Sequence, residues 1–181
     1  MNIYVDTTAK TLRIGAHVFP CAIGKNGVVP YEAGREGDGK TPLGTYKLRY
    51  GFYRADRVEL PTTALPFWPL SQDDGWCDAP SDPAYNMPVR LPYPASAENL
   101  WRDSHVYDVI IVLGHNDSPP QPELGSAIFL HIAREGYGPT QGCVAVSRAD
   151  MLVLVQALET QNTISISENC LILSTFQKCI Q

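Results

Sequence analysis

The chain has 181 residues, of which 44% are hydrophobic and 18% are charged, and its net charge at pH 7 is −5. This length and composition are typical of one globular domain with a sizeable core, so we predict a single domain over residues 1–181 and exclude disordered and fibrous classes. Because the net charge is negative and the sequence shows no cluster of basic residues, we expect neither nucleic acid nor an anionic membrane surface as a partner.

The N-terminal segment "MNIYVDTTAKTLRIG" lacks the basic and apolar regions of a secretory signal. The longest apolar runs, Val109–Leu113 and Met151–Val155, are far shorter than the ~20 residues that span a bilayer. The cysteines are odd in number and form no CxxC pair, which favours reduced thiols. They are Cys21, Cys77, Cys143, Cys170 and Cys179. We therefore expect a cytoplasmic protein without membrane insertion, or a periplasmic one if an export signal is missing from this chain.

The first fifty residues have the pattern of short strands joined by turns. "NIYVD" and "TLRIG" alternate around a four-residue turn, which predicts a hairpin, and "HVFPCAIGKNG" follows it. The glycine-dense loop "GREGDGKTPLG" then leads into an alternating run from Thr45 to Phe52. Lys40 and Thr41 give this loop a superficial likeness to a phosphate-binding loop, but we do not expect phosphate binding.

The segment from Pro61 to Pro94 holds eight of the fifteen prolines. Proline donates no hydrogen bond to a strand ladder, so it is confined to sheet edges and loops. We therefore predict that this segment forms a long irregular cover. Long loops in compact domains often serve as lids or binding loops.

The second half alternates buried strands with one helix. "DVIIVLGHN" (Asp108–Asn116) and "SAIFLHIA" read as buried strands, and "TQGCVAV" as a turn and a short strand. "SRADMLVLVQALE" has helical periodicity, with Ser147 as the N-cap and Asp150 in an approximate capping box. "TISIS" and "CLILS" read as closing strands. The prediction is a mainly β fold with one or two helices.

Two reactive residue types lie close together near the end of this region. His131 ends a strand, and Cys143 follows twelve positions later, after a loop with three glycines and a proline. A cysteine nucleophile needs a base, and the N–H groups of Gly142 and Cys143 could form an oxyanion hole. A core histidine and a buried structural cysteine explain the spacing as well, so both interpretations stay open.

A zinc site is the other chemical alternative. Its candidate ligands are Cys77, His105, His115, His131 and Cys143. No pair among them has the short ligand spacing typical of zinc sites, so we favour no metal and expect no cofactor.

The segment from His131 to Cys143 resembles the signature of the L,D-transpeptidase (YkuD-type) family, in which a histidine precedes a Ser/Thr-x-Gly-Cys turn. The matching residues are His131, Thr140, Gly142 and Cys143. The resemblance continues through "EGDGKTPLGTY" (36–46), "GWCDAPSDPAYN" (75–86), "LWRDSHVYDVIIVLGHND" (100–117) and "GSAIFLHIA" (125–133), nearly the whole chain.

The resemblance implies a β-sandwich fold with Cys143 as nucleophile and His131 as general base. A thioester would form at the L-centre of the diamino acid in a peptidoglycan stem peptide, with the terminal D-Ala released. Backbone groups of the turn at Thr140, Gln141 and Gly142 would stabilise the oxyanion. Stem peptides (muropeptides) are then the expected partners, and carbapenems the expected covalent inhibitors.

Two positions depart from many family members. Gln141 stands where a second histidine is common, and Ala145 where an arginine is common. The residues that contact the substrate must therefore lie elsewhere. Arg134 is our candidate for binding a substrate carboxylate, and Arg148 is the alternative. The candidates for substrate binding are Arg134, His115, Asn116, Trp76 and Tyr85.

The sequence leads to three functional hypotheses. We favour a cytoplasmic L,D-carboxypeptidase that removes the terminal D-Ala from tetrapeptide muropeptides during peptidoglycan recycling, because the chain shows no export signal. The first alternative is an L,D-transpeptidase that forms cross-links or exchanges D-amino acids. The second is a non-catalytic module that binds cell-wall peptides.

Overall fold

The structure, a computed structural model, describes residues 2–169, so the predicted strand "CLILS" lies outside the described part of the chain. Within residues 2–169 there are thirteen strands and one α-helix. The first strands are β1 (Ile3–Asp6), β2 (Thr11–Ile14), β3 (His17–Pro20), β4 (Val28–Pro30), β5 (Thr41–Tyr53), β6 (Phe67–Pro69) and β7 (Asp74–Cys77). The remaining elements are β8 (Pro88–Arg90), β9 (Ala97–Asn99), β10 (Val109–Leu113), β11 (Phe129–Ile132), β12 (Val144–Val146), α1 (Arg148–Ala157) and β13 (Thr163–Ser167).

One large sheet forms a nearly closed barrel-like sandwich. Its strands run in the order β12-β11-β10-β5-β13-β1-β2-β3, and β4 and β6 also pair with β5. The 13-residue strand β5 joins the two halves, because its first part pairs with β13 and its second part with β10. Beyond β3, Ala22 exchanges two backbone hydrogen bonds with Ala145 of β12, at 2.8 and 3.0 Å. This bridge brings the two ends of the strand order together.

The larger core cluster lies inside this barrel. Side chains alternate along a strand, so Ile111 of β10 joins this cluster while its neighbours Ile110 and Val112 join a second cluster on the opposite face. Helix α1 contributes Met151 and Leu154, both fully buried, to the first cluster. The N-cap prediction is confirmed, since the hydroxyl of Ser147 accepts the Asp150 N–H.

A small sheet covers the second cluster. Strands β8, β7 and β9 pair antiparallel, in that order, and contribute Trp76 to this cluster. The prediction of an irregular cover from Pro61 to Pro94 was therefore wrong in part, because β6, β7 and β8 lie within it. The prolines fit these strands because Pro69 ends β6 and Pro88 begins β8, where a missing donor costs least.

The other strand predictions that fall within residues 2–169 are confirmed. β1 and β2 form the predicted hairpin, and "TISIS" forms β13, which pairs in parallel with β1. The loop before Thr41 leads into strand β5 instead of a helix, so it lacks the helix N-terminus of a phosphate-binding loop. The mainly β prediction is confirmed. In the described range, no helix has both the length and the hydropathy that crossing a bilayer requires.

Candidate active site

The strand register places His131 and Cys143 on one face of the sheet. β11 and β12 are parallel, and His131 is paired with Ala145. Two positions earlier, Cys143 lies beside Phe129, whose N–H donates to the sulfur at 3.3 Å. Because residues two apart in a strand share a face, the imidazole and the thiol project to the same side. They both line a cleft of about 470 Å³.

The thiol of Cys143 is buried and protonated. Its Sγ donates to the carbonyl of Ala127 at 3.2 Å and accepts the N–H of Phe129. Burial raises the pKa of Cys143 to about 12, and the Phe129 N–H only partly opposes that shift. A thiol with this raised pKa would have to lose its proton before it could act as a nucleophile.

His131 is a neutral base in this setting. Its Nδ1 donates to the carbonyl of Ile132 at 2.9 Å, which leaves Nε2 with the lone pair. Burial lowers the pKa of His131 to about 4, while the carbonyls of Ile132 and Val106 favour the charged ring. Across the described residues no hydrogen bond joins the ring to Cys143, so the thiol must turn away from Ala127 to reach it.

The ring of Tyr107 fixes the imidazole from the side. It meets the rings of His131 and Phe129 edge to face, with centroids 5.3 and 6.1 Å away. Its hydroxyl donates to Glu98 Oε1 at 2.8 Å. Tyr107 therefore links the base to a charged part of the cleft wall.

The turn before Cys143 is held by Thr140. Its hydroxyl donates to the carbonyl of Cys143 at 2.6 Å and accepts the N–H of Gly142 at 3.1 Å. Gly142 has φ +138°, and a Cβ there would lie 2.9 Å from the carbonyl oxygen of Lys40, so only glycine fits. The Gly142 N–H, expected in the oxyanion hole, is engaged by Thr140 in this conformation. Gln141 is exposed at the cleft edge.

Two of the five predicted substrate-binding residues line the cleft. These are Arg134, which is exposed, and His115, which is buried. Burial lowers the pKa of His115 to about 4. The alternative carboxylate ligand Arg148 lies elsewhere, where it donates to Asp108 and to the carbonyl of Arg57. Arg134 therefore remains the arginine candidate of the two.

The other three predicted substrate residues are loop anchors outside the cleft wall. Trp76 is buried against Phe129 and donates its indole N–H to Asn86 at 3.0 Å. Tyr85 donates to Glu36 and accepts a backbone N–H. The amide of Asn116 bonds only backbone groups of the following loop. Their polar atoms bond within the protein, so a part in substrate binding stays a prediction for these three residues.

The cleft wall also holds unused polar groups. Four buried side-chain atoms within residues 2–169 have no hydrogen-bond partner, and all four belong to residues that line this cleft. They are Asp78 Oδ1, Arg102 Nε, His115 Nδ1 and Ser126 Oγ. Buried polar groups are normally paired, so these four atoms are available to bond a polar ligand in the cleft.

The sequence analysis missed several of these wall residues. They are Glu98, Arg102, Tyr107 and Ser126. The one available signal was the spacing of Glu98 and Arg102, four residues apart, which allows an ion pair.

For the zinc alternative, the described part of the chain contains no group of three His, Cys, Asp or Glu side chains close enough to hold a metal ion.

The chain is similar to a solved structure and to a protein family. A solved structure, that of Bdellovibrio bacteriovorus Bd1075, is similar with a TM-score of 0.47 and 16% identity, over 93% of this chain. The chain spans only about half of that protein, 48% of its length. No curated protein matches the sequence. The family model of the L,D-transpeptidase catalytic domain, YkuD, matches residues 2–166. The chain belongs to the YkuD family of L,D-transpeptidase catalytic domains.

Proposed function

We propose that this protein is an L,D-carboxypeptidase that removes the terminal D-Ala from tetrapeptide muropeptides, in peptidoglycan recycling. The observation that carries the proposal is the placement of Cys143 and His131 on one sheet face, in one cleft. A thiol beside a neutral imidazole is the arrangement that acyl transfer by a cysteine requires. Membership of the YkuD family supports peptidoglycan peptides as the substrate class.

The first half of the reaction forms a thioester. Cys143 Sγ attacks the carbonyl carbon of the diamino acid, and its proton passes to His131 Nε2. The carbonyls of Ile132 and Val106, which favour the charged ring, help to hold the imidazolium. That proton then passes to the leaving nitrogen, the C–N bond breaks, and D-Ala departs with a free amine. The backbone N–H of Cys143 stabilises the oxyanion, and that of Gly142 joins it when the Thr140 hydroxyl turns away.

The second half is hydrolysis. Water attacks the thioester while His131 takes its proton, and the thiol is regenerated as the tripeptide acid leaves. Transpeptidation would differ only in the acceptor, an amine that attacks the same thioester in place of water.

A carboxypeptidase must also recognise the free C-terminus. Arg134 lies on the cleft wall and lowers the pKa of the neighbouring His131, which places its charge near the base. We assign Arg134 to the carboxylate of the leaving D-Ala. A guanidinium binds a carboxylate through two hydrogen bonds, which would orient the scissile bond.

One assay decides between the candidate activities. The protein is incubated with a tetrapeptide muropeptide, with and without a D-amino acid, and the products are identified by mass. Loss of D-Ala alone, in both conditions, is the expected result. Exchanged or dimeric products would establish transpeptidation instead, and bound but unchanged peptide would establish a binding module.

A second assay labels the nucleophile. A carbapenem should add to Cys143, because its strained lactam offers the thiol an acyl group, and inhibition by carbapenems is typical of the family. The measurement is an intact mass followed by peptide mapping. The protein also has the buried thiol Cys21, and an adduct there, or none at all, would contradict the assignment.

A further inference from the structure

The carboxamide of the buried Asn86 connects three parts of the chain near the nucleophile. Its oxygen accepts the indole N–H of Trp76, on β7 of the small sheet, and the backbone N–H of Ala127, each at 3.0 Å. Its nitrogen donates to the carbonyls of His115 and Asn116, which follow β10, at 2.9 and 2.8 Å. The carboxamide therefore uses both of its hydrogens and both oxygen lone pairs, and each bond reaches a different residue.

Strained backbone is concentrated around this side chain. Asn86, Asn116 and Ala127 all have positive φ values, of +58°, +48° and +53°. Asparagine adopts this left-handed conformation readily, but for alanine it is unfavourable because the Cβ approaches a carbonyl oxygen. A strained residue persists only where its surroundings hold it in place. The carboxamide of Asn86 bonds the backbone of both other residues, so it helps to hold each of them.

Ala127 connects this strained cluster directly to Cys143. Its carbonyl accepts the S–H of Cys143 at 3.2 Å, while its N–H donates to Asn86. Both peptide groups are planar, so the angle between this N–H and this carbonyl is set by the φ and ψ of Ala127 alone. A change of φ at Ala127 would redirect the carbonyl away from the thiol. The position of the thiol therefore depends on the bond between Asn86 and Ala127.

We propose that Asn86 is a positioning residue for the nucleophile. By holding Ala127 in its left-handed conformation, Asn86 sets the place from which the sulfur of Cys143 turns towards His131 and the bound peptide. Asn86 itself lies outside the cleft wall, so it acts through Ala127 and not on the peptide. The inference rests on the proposed function, because it takes Cys143 to be the nucleophile. Loss of the carboxamide then slows the attack on the peptide without weakening peptide binding.

The first test is the variant Asn86→Gly in single turnover with a tetrapeptide muropeptide. Glycine adopts a positive φ without strain, so the backbone at position 86 is kept and only the carboxamide is lost. The maximal rate of D-Ala release should fall at least ~tenfold, because a misplaced nucleophile attacks slowly. The peptide concentration that gives half of this rate should stay within about twofold, because the cleft wall is unchanged. An unchanged rate, or a loss confined to binding, would overturn the proposal.

A second measurement on the same variant follows the thiol without the peptide. Iodoacetamide is a small reagent that reaches a thiol from many directions, so it does not depend on the alignment that a bound peptide requires. Its rate of reaction with Cys143, measured by intact mass and peptide mapping, should not fall in Asn86→Gly. If alkylation slows by the same factor as D-Ala release, the variant has lost reactivity and not alignment, and the positioning role is refuted.

The matched control is Asn162→Ala. Asn162 is also a buried asparagine, and its carboxamide oxygen accepts the N–H of Glu159, but it lies outside the cleft wall. This variant should lose stability, because a buried hydrogen bond is removed. It should keep the rate of D-Ala release in the folded protein. An equal fall of this rate in both asparagine variants would reduce Asn86 to a structural role and overturn the proposal.

Hydrogen exchange tests the central bond in the wild-type protein. Ala127 lies between β10 and β11, outside any strand. Its N–H is bonded to a buried carboxamide, so it should exchange at least ~100-fold more slowly than the amide of Glu123, an exposed residue of the same segment. Equal exchange at the two amides would overturn the proposal without any variant.

The outcomes separate this proposal from the proposed function. A wild-type protein that releases no D-Ala refutes the proposed function, and this inference with it. An active wild type together with an equally active Asn86→Gly variant refutes the positioning role alone and leaves the carboxypeptidase in place.

Discussion

The sheet formed by strands β11 and β12 has one face packed in the barrel core and one face that lines the cleft. On the barrel face, Leu130 and Val144 are fully buried in the same cluster as α1. On the cleft face, His131 and Cys143 carry the polar atoms. The four unpartnered buried polar atoms of the described range, residues 2–169, also belong to residues of this cleft.

The difference shows how a short strand pair combines rigidity and chemistry. Because neighbouring residues point to opposite faces, each proposed catalytic residue is flanked by a core residue that fixes its backbone. Leu130 and Ile132 flank His131, and Val144 follows Cys143. The apolar face sets the register, and the register sets the relation of base to nucleophile. Substitutions on the two faces should therefore have separable effects.

The largest expected effect is on the cleft face. Cys143→Ala removes the nucleophile, and we expect kcat/KM for the tetrapeptide to fall by about 10⁴-fold or more, with little change in the free energy of unfolding. The measurement is product formation by mass, together with urea denaturation. A variant that keeps more than a few per cent of activity would refute the nucleophile assignment.

Cys21→Ala is the matched control for that variant. Burial raises the pKa of Cys21 to about 12, as it does for Cys143, but Cys21 lies in the barrel cluster. Its loss should leave the activity of the folded protein unchanged. The two thiols have similarly raised pKa values and differ in position. An equal loss of activity in both variants would therefore contradict the assignment of the nucleophile to the cleft face.

The converse substitution is Leu130→Ala on the barrel face. Removing a fully buried leucine side chain should lower the free energy of unfolding by about 2–5 kcal/mol, because lost burial adds to a residual cavity. The folded fraction should retain kcat/KM within a few-fold. Urea unfolding and single-condition kinetics measure the two quantities. A small stability loss with a large loss of activity would show that the two faces are not separable.

A third effect arises from the two histidines of the cleft face. Burial lowers the pKa of His131 and of His115 to about 4 in the folded protein, below the ordinary value of 6.5. The unfolded chain therefore binds protons first, and stability should fall as the pH drops from 6.5 towards 4, by on the order of 3 kcal/mol for each ring. Above pH 6.5 this contribution is constant.

Denaturation at several pH values measures this loss. His131→Gln should flatten the curve between pH 6.5 and 4, because one buried ring no longer resists protonation. The exposed His17 on β3 provides the control, and His17→Gln should leave the curve as in the wild type. The same slope in His131→Gln and the wild type would contradict the buried neutral state of His131.

Much of the fold could be predicted because its signals are local. Apolar alternation identified β1, β2 and β13, and Ser147 with Asp150 marked the start of α1. The small sheet was missed because β7, β8 and β9 are only three or four residues long and lie among prolines. Strands that short carry no periodicity, and their pairing depends on long-range packing.

The candidate site divides in the same way. His131 and Cys143 were found because they lie on one short segment with a recognisable order. Glu98 and Arg102 were missed as wall residues because only the tertiary fold brings β9 and the following loop to the cleft. Trp76 and Tyr85 were predicted at the site, but their polar atoms bond within the protein. Such partners cannot be read from spacing.

The smallest expected effect concerns the turn before Cys143, which the hydroxyl of Thr140 holds in place. Thr140→Val removes the hydroxyl that donates to the Cys143 carbonyl and accepts the Gly142 N–H. Loss of these two bonds should lower the free energy of unfolding by about 1–2 kcal/mol and kcat by about tenfold, with KM nearly unchanged, because the turn positions the thiol and not the peptide. Thr140→Ser keeps the hydroxyl and should restore kcat. Equal kcat values in the valine and serine variants would show that the hydroxyl does not position Cys143.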